Sequence, residues 1–189
     1  MSSPPDLLSA SVSLIWIAAL IGVLVFHCTH FIHMRGSWRW LHSAHVVMLL
    51  GMLYMYAAMA FGVGWFPGSA WMIIYAATSA VIIGWMLVQW VQKGSCGRLW
   101  ILALVQQGAM IYMWMPMTFW LPLVTYALSV YFALETLTWL TKACVQPWRG
   151  GTFVTPRGSW TMPLVRGPPL DDICMMIMAA SMGYMFVGS

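Results

Sequence analysis

Apolar runs of eighteen or more residues recur along this chain, and each is long enough to cross the roughly 30 Å hydrocarbon layer of a bilayer as a helix. A helix satisfies its own backbone hydrogen bonds, which lipid cannot do. The pattern therefore predicts an all-α polytopic membrane protein, a bundle of about six transmembrane helices in one transmembrane domain over residues 1–189. Composition closes off the soluble alternative. With 62% hydrophobic and 6% charged residues, against roughly one quarter charged in an ordinary soluble domain, the chain cannot cover its own surface with polar groups.

The expected spans are 11–33, 41–63, 70–91, 99–115, 119–141 and 170–187. Residues 99–141 are nearly continuous in apolar character, and a single helix of that length would be about twice as long as the bilayer is thick. The segment must fold back, with Pro116 and Pro122 flanking the reversal. The first run lacks a positively charged start and a small-residue cleavage site, so it is expected to remain as a span.

With six spans, Arg35, Arg39, Lys93, Arg98, Lys142, Arg149, Arg157 and Arg166 all fall on one side. The positive-inside rule makes that side cytoplasmic, including the loop 142–166, and both termini extracytoplasmic at the plasma (inner) membrane. Tryptophans near the span ends, among them Trp40, Trp65, Trp90, Trp100 and Trp120, suit interfacial belts. The net charge of +4 comes from cations scattered singly through short loops and forms no phosphate-binding patch, so nucleic acid is not an expected partner. Cys28, Cys96, Cys144 and Cys174 have no CxxC spacing, and all are expected near the cytoplasmic face, where thiols stay reduced.

All five histidines lie within nineteen residues. His27, His30 and His33 end the first span, and His42 and His45 begin the second. About a turn centred on Gly36, His27 is level with His45 and His30 with His42. A spacing of three places His27 with His30, and His42 with His45, on common helix faces. Imidazole is the commonest metal ligand and suits zinc, copper, iron or nickel, so convergence of these rings in the membrane would make a metal site. The competing explanation is that each ring bonds to headgroups or loop carbonyls in the wet interface.

Methionine reinforces the metal reading. Eighteen methionines form stripes at helical spacing: Met48, Met52, Met55 and Met59 follow His45, while Met110, Met113 and Met117 follow Gln106. Met175, Met178, Met182 and Met185 follow Asp171 on the last span. Thioethers are soft neutral ligands that select copper(I), although methionine also serves simply as a flexible packing residue. Glu135 lies inside the fifth span, and an intramembrane carboxylate normally faces a partner or a wet cavity. It is a candidate ligand or proton carrier. Asp171 and Asp172, at the start of a helix, have a ready explanation in the helix dipole.

The segments LHSAHVVMLLGMLYMYAAM (41–59) and MMIMAASMGYMFVGS (175–189) resemble an uncharacterised actinobacterial-type family of small multi-pass membrane proteins rich in His and Met, a domain of unknown function. His42, His45, Met48, Met52, Met178, Met182 and Met185 carry the resemblance. It implies a histidine-then-methionine helix and a methionine-rich final helix, and no activity.

The expected function is copper binding or relay through His27, His30, His33, His42 and His45, with Met48, Met52, Met55, Met59 and Glu135 as further metal ligands. An alternative is an accessory subunit packed against other membrane subunits of a respiratory oxidase or copper-dependent membrane monooxygenase. A third is a b-type haem protein with His27 and His45 as axial ligands. No phosphate-binding loop, HExxH or GxSxG motif is present, so no catalytic activity of its own is expected.

Overall fold

The structure is a computed structural model that describes residues 7–33, 37–62, 64–94, 97–145 and 168–187. Among the described residues there are six α-helices and no strand: α1 Leu7–His33, α2 Ser37–Phe61, α3 Gly68–Lys93, α4 Arg98–Trp114, α5 Pro122–Val145 and α6 Pro168–Val187. Five of these are long and apolar enough to cross a membrane. The exception is α4, whose 17 residues give a length of about 26 Å at 1.5 Å per residue. The turn about Gly36, Arg35, Cys96, and Arg149, Arg157 and Arg166 of the long loop lie outside the described residues.

The helix boundaries follow from local chemistry. α3 stops at Gly94, which adopts the left-handed conformation (φ 67°) and returns its N–H to the Trp90 carbonyl at 2.8 Å, the usual role of glycine past a helix end. The fifth helix begins at Pro122 rather than at the expected residue 119. A residue preceding proline is pushed out of the α region, so Leu121 cannot be helical, whereas Pro122 suits a first position. Residues 117–119 form a single 3-10 turn instead.

The chain divides into two compact units, residues 1–124 and 125–189. In the first, α1 packs along α2 and α3 along α4, while α2 also meets α3 and α4. Contacts between the helices give the directions. Met48 and Tyr54 of α2 meet Tyr75 and Trp71 of α3, and Trp71 and Trp85 of α3 meet Trp114 and Trp100 of α4. Both pairings are antiparallel. Arg39, Lys93 and Arg98 therefore share one end of this unit, and the Tyr54, Trp71 and Trp114 cluster takes the other.

At the basic end, Leu41, Ala44, Ile82, Trp100 and Ala103 form a buried apolar core. Trp100 thus serves packing, unlike Trp40 and Trp90, which are exposed. At the aromatic end two tyrosines clamp the turns. The Tyr54 hydroxyl donates to the Phe66 carbonyl at 3.0 Å and accepts from its N–H at 2.6 Å. Tyr112 makes the same pair of bonds to Leu121. Phenols with an apolar ring and a polar tip suit this position at the edge of an apolar layer.

In the second unit, α5 and α6 meet through Phe132, which stacks on Phe186 at 5.9 Å and lies against Gly183. The methionines Met175, Met178, Met182 and Met185 are all buried.

Candidate functional site

Four imidazoles meet inside the α1–α2 hairpin. Because the rings recur every third residue on α1 and again on α2, each helix turns two of them to the same side. His27, His30, His42 and His45 are all buried. The rings of His27 and His45 lie 4.9 Å apart at 26°, and those of His30 and His42 lie 5.2 Å apart. These are the level pairs expected from the hairpin. A diagonal contact ties them together: His27 Nδ1 and His42 Nδ1 share a hydrogen bond of 2.8 Å. One of these two nitrogens must carry the proton and the other accept it.

The remaining ring nitrogens are poorly provided for. His30 Nδ1 bonds to the Phe26 carbonyl at 2.9 Å, but His27 Nε2, His30 Nε2 and both nitrogens of His45 are buried without a hydrogen-bond partner. Unsatisfied buried polar atoms cost about 1–3 kcal/mol each and are uncommon unless function retains them. At 1.5 Å per residue, His42 and His45 sit about 5 and 9 Å along the axis from Arg39. The cluster is therefore shallow, inside the apolar layer near the basic end.

His33 departs from the expected set. It is exposed, and its Nδ1 bonds to the Thr29 carbonyl of its own helix at 2.7 Å. At 100° per residue it is turned about 120° from His27 around α1, which takes it out of the hairpin. The methionine series of α2 divides similarly. Met48 and Met52 are fully buried, Met55 is half-buried, and Met59 is 46% exposed. Met59 therefore cannot belong to an interior track that includes Met48. On the fourth helix Met110 and Met113 are buried, whereas Met117 lies in the 3-10 turn and is exposed.

Glu135 belongs to the second unit. It is buried, and its Oε1 accepts from Trp139 Nε1 at 3.3 Å. Lys142, two turns further on, lies 4.0 Å above the Trp139 ring. Asp172, at the start of α6, interacts with the same ammonium.

Two glutamines of α4 complete the polar surroundings of the first unit. Gln106 and Gln107 are both fully buried. Gln107 Nε2 donates to the Ala44 carbonyl at 3.1 Å, which docks α4 against α2 beside His45. Gln107 had no place in the methionine pattern. The signal available for it was simply two adjacent carboxamides in an apolar span, where polar groups face the interior.

Among the described residues, no three His, Cys, Asp or Glu side chains stand with their donors arranged to hold a metal ion. The imidazoles contact one another directly, ring against ring.

A family model for a domain of unknown function, DUF5134, matches residues 57–188. The chain belongs to the DUF5134 family. The match takes in the last turn of α2 and all of α3 to α6. Of the residues that carried the resemblance, Met178, Met182 and Met185 lie inside it, while His42, His45, Met48 and Met52 precede its first residue, as do the other three histidines. No curated protein and no solved structure matches the chain.

Proposed function

We propose that this membrane protein binds and relays copper(I), with His27, His30, His42 and His45 as the ligand set. The observation that carries the reading is the buried 2.8 Å contact between His27 Nδ1 and His42 Nδ1, flanked by ring nitrogens that lack partners. Two nitrogens bound tetrahedrally at 2.0–2.1 Å from one ion stand about 3.4 Å apart. The pair is therefore about 0.6 Å short of a metal-bridged separation, a change that small ring rotations supply.

Imidazole binds several transition metals, and the methionines narrow the choice. Met48 and Met52 continue from His45 on the same face of α2 and are buried. Thioethers favour copper(I) and stay neutral in an apolar medium. The axial-haem alternative would require the His27 and His45 rings, 4.9 Å apart, to part and admit a macrocycle. A single ion asks for far less displacement.

The positive-inside rule orients this reading. Arg39, Lys93 and Arg98 sit at the cytoplasmic surface of a plasma (inner) membrane, so copper(I) enters the imidazole cluster from that side and moves along α2 toward Met48 and Met52. His33, exposed beside the cluster, is left out of the ligand set.

The test is copper(I) binding by the purified full chain in detergent under reducing conditions, measured by competition with a chromophoric copper(I) chelator. Wild type and His33→Ala are expected to bind equally, and His27→Ala/His42→Ala to lose the site. Wild-type protein that takes no copper(I) from the chelator refutes the proposal.

A further inference from the structure

The two turns at the aromatic end of the first unit carry no charge and present large apolar side chains. No Asp, Glu, Lys or Arg occurs from Trp40 to Gln92 or from Leu99 to Leu134. Phe61, Trp65, Phe66, Met117, Phe119 and Leu121 are nevertheless exposed, Trp65 by 86% and Met117 by 77%. The turns stand side by side, since a methyl group added to Gly68 would come within 3.2 Å of Trp114 Cε3. A contiguous apolar surface of this kind is one that a protein or a membrane covers.

The backbone favours the membrane. A turn in water leaves its spare N–H and C=O groups to solvent, whereas a turn in lipid must satisfy them within the protein. Gly62 ends α2 in the left-handed conformation (φ 66°), with its N–H on the Ala58 carbonyl at 2.9 Å. The Tyr54 hydroxyl serves both the N–H and the C=O of Phe66. In the second turn Met115, Phe119 and Trp120 donate to the carbonyls of Tyr112, Pro116 and Met117. The Tyr112 hydroxyl serves both backbone groups of Leu121, and the Trp120 indole donates to the Met115 carbonyl at 3.0 Å. Pro67, Pro116 and Pro122 have no N–H to satisfy.

Depth agrees with the backbone. Arg39 on α2 and Arg98 on α4 hold the basic end at the edge of the hydrocarbon layer, where charge is tolerated. Along those helices, Tyr54 stands about 22 Å from Arg39 and Tyr112 about 21 Å from Arg98, at 1.5 Å per residue. Helical side chains lean toward the N-terminus, which is the basic end of both helices. Phe66 and Leu121, held by the two hydroxyls, therefore lie short of the roughly 30 Å needed to cross the layer.

We propose that the α2–α3 and α4–α5 turns are immersed in the bilayer, and that lipid acyl chains cover their apolar residues. A span shorter than the layer is met by local thinning of the bilayer, so the surrounding leaflet dips toward the turns. Both turns lie at the opposite end of the unit from the histidine cluster, so the outcome does not depend on copper(I) binding.

The experiment uses the full chain, dilute in phosphatidylcholine vesicles. One sample is labelled by a carbene from an apolar diazirine dissolved in the lipid, another by a carbene from a charged, water-soluble diazirine, and adducts are mapped by mass spectrometry. Because the apolar layer holds no water, residues 64–67 and 115–121 should carry about tenfold more adduct from the lipid-phase reagent than from the aqueous one. Gln92 and Gly94, at the basic end, should show the reverse. Tyr54→Phe strands both backbone groups of Phe66 and should raise aqueous labelling of residues 64–67 while leaving 115–121 unchanged. An excess of aqueous labelling at the wild-type turns overturns the immersion. Labelling of the turns by neither reagent overturns the lipid occupant in favour of a second copy or another protein.

Discussion

Gly51 is where the packing of α2 on α3 can be tested most sharply. A methyl group added there would overlap the Tyr75 hydroxyl outright, with Tyr75 Cζ at 2.8 Å and Trp71 Cε3 at 3.3 Å. Flipping the tyrosine ring gives no relief, because Cζ and the hydroxyl lie on the flip axis. Tyr75 is fully buried, so the whole side chain or the α2–α3 spacing must shift, and the hydroxyl's 3.4 Å bond to the Met48 carbonyl goes with it. Overpacking costs about 1–3 kcal/mol, and an outright overlap belongs at the upper end. Alanine returns about 1 kcal/mol through helix propensity. The expected net effect of Gly51→Ala is a loss of about 2 kcal/mol in a reversible unfolding titration in detergent followed by circular dichroism. Tyr75→Phe removes the overlapping oxygen but leaves the carbon at 2.8 Å, so the double variant should recover roughly half of that loss. Gly51→Ala protein as stable as wild type, or more stable as propensity alone would have it, refutes the close approach of α2 and α3.

Four further outcomes are expected. Gln107→Leu should cost about 1 kcal/mol in the same titration, the net value of an ordinary hydrogen bond, since the Ala44 carbonyl keeps its helical donor; an effect above about 3 kcal/mol would mean that Gln107 holds more than this contact. Tyr54→Phe loses both bonds to Phe66 and should destabilise by about 1–2 kcal/mol, with faster proteolysis at residues 62–67 as the local readout. Glu135→Gln keeps an acceptor for Trp139 and should lie within about 0.5 kcal/mol of wild type, whereas Glu135→Leu strands the indole N–H at a cost of about 1–3 kcal/mol; equal stabilities for the two would remove the Trp139 contact. Met48→Leu and Met52→Leu keep volume at buried positions and should cost under about 1.5 kcal/mol while weakening copper(I) uptake, and Met59→Leu, at an exposed position, should change neither.

What sequence alone determined is whatever depends on distance along one helix or on transfer into lipid. The all-helical, membrane-spanning class followed from apolar runs that only helices can carry across a bilayer. The expected spans and the helix ends differ by up to four residues, as at the starts of α1 and α2 and the end of α5; at the start of α5 the proline effect on Leu121 outweighed apolar continuity. The level pairing of His27 with His45 and of His30 with His42 was also legible, because a tight hairpin makes depth a function of residue number.

Tertiary structure decided what depends on rotation about each helix axis and on which helix comes next. Periodicity shows that Met48 and Met59 share a stripe, but only packing shows that one is buried and the other exposed. His33 belongs to the same sequence cluster as His27, yet 120° of helical rotation carries it outside the hairpin. Gln107 stands 63 residues from Ala44 in the chain, and its bond to the carbonyl beside His45 exists only because α4 lies against α2. A carboxamide in an apolar run announces that it will face inward; which partner it meets there is set by helix packing, a property of the folded unit and not of any one segment.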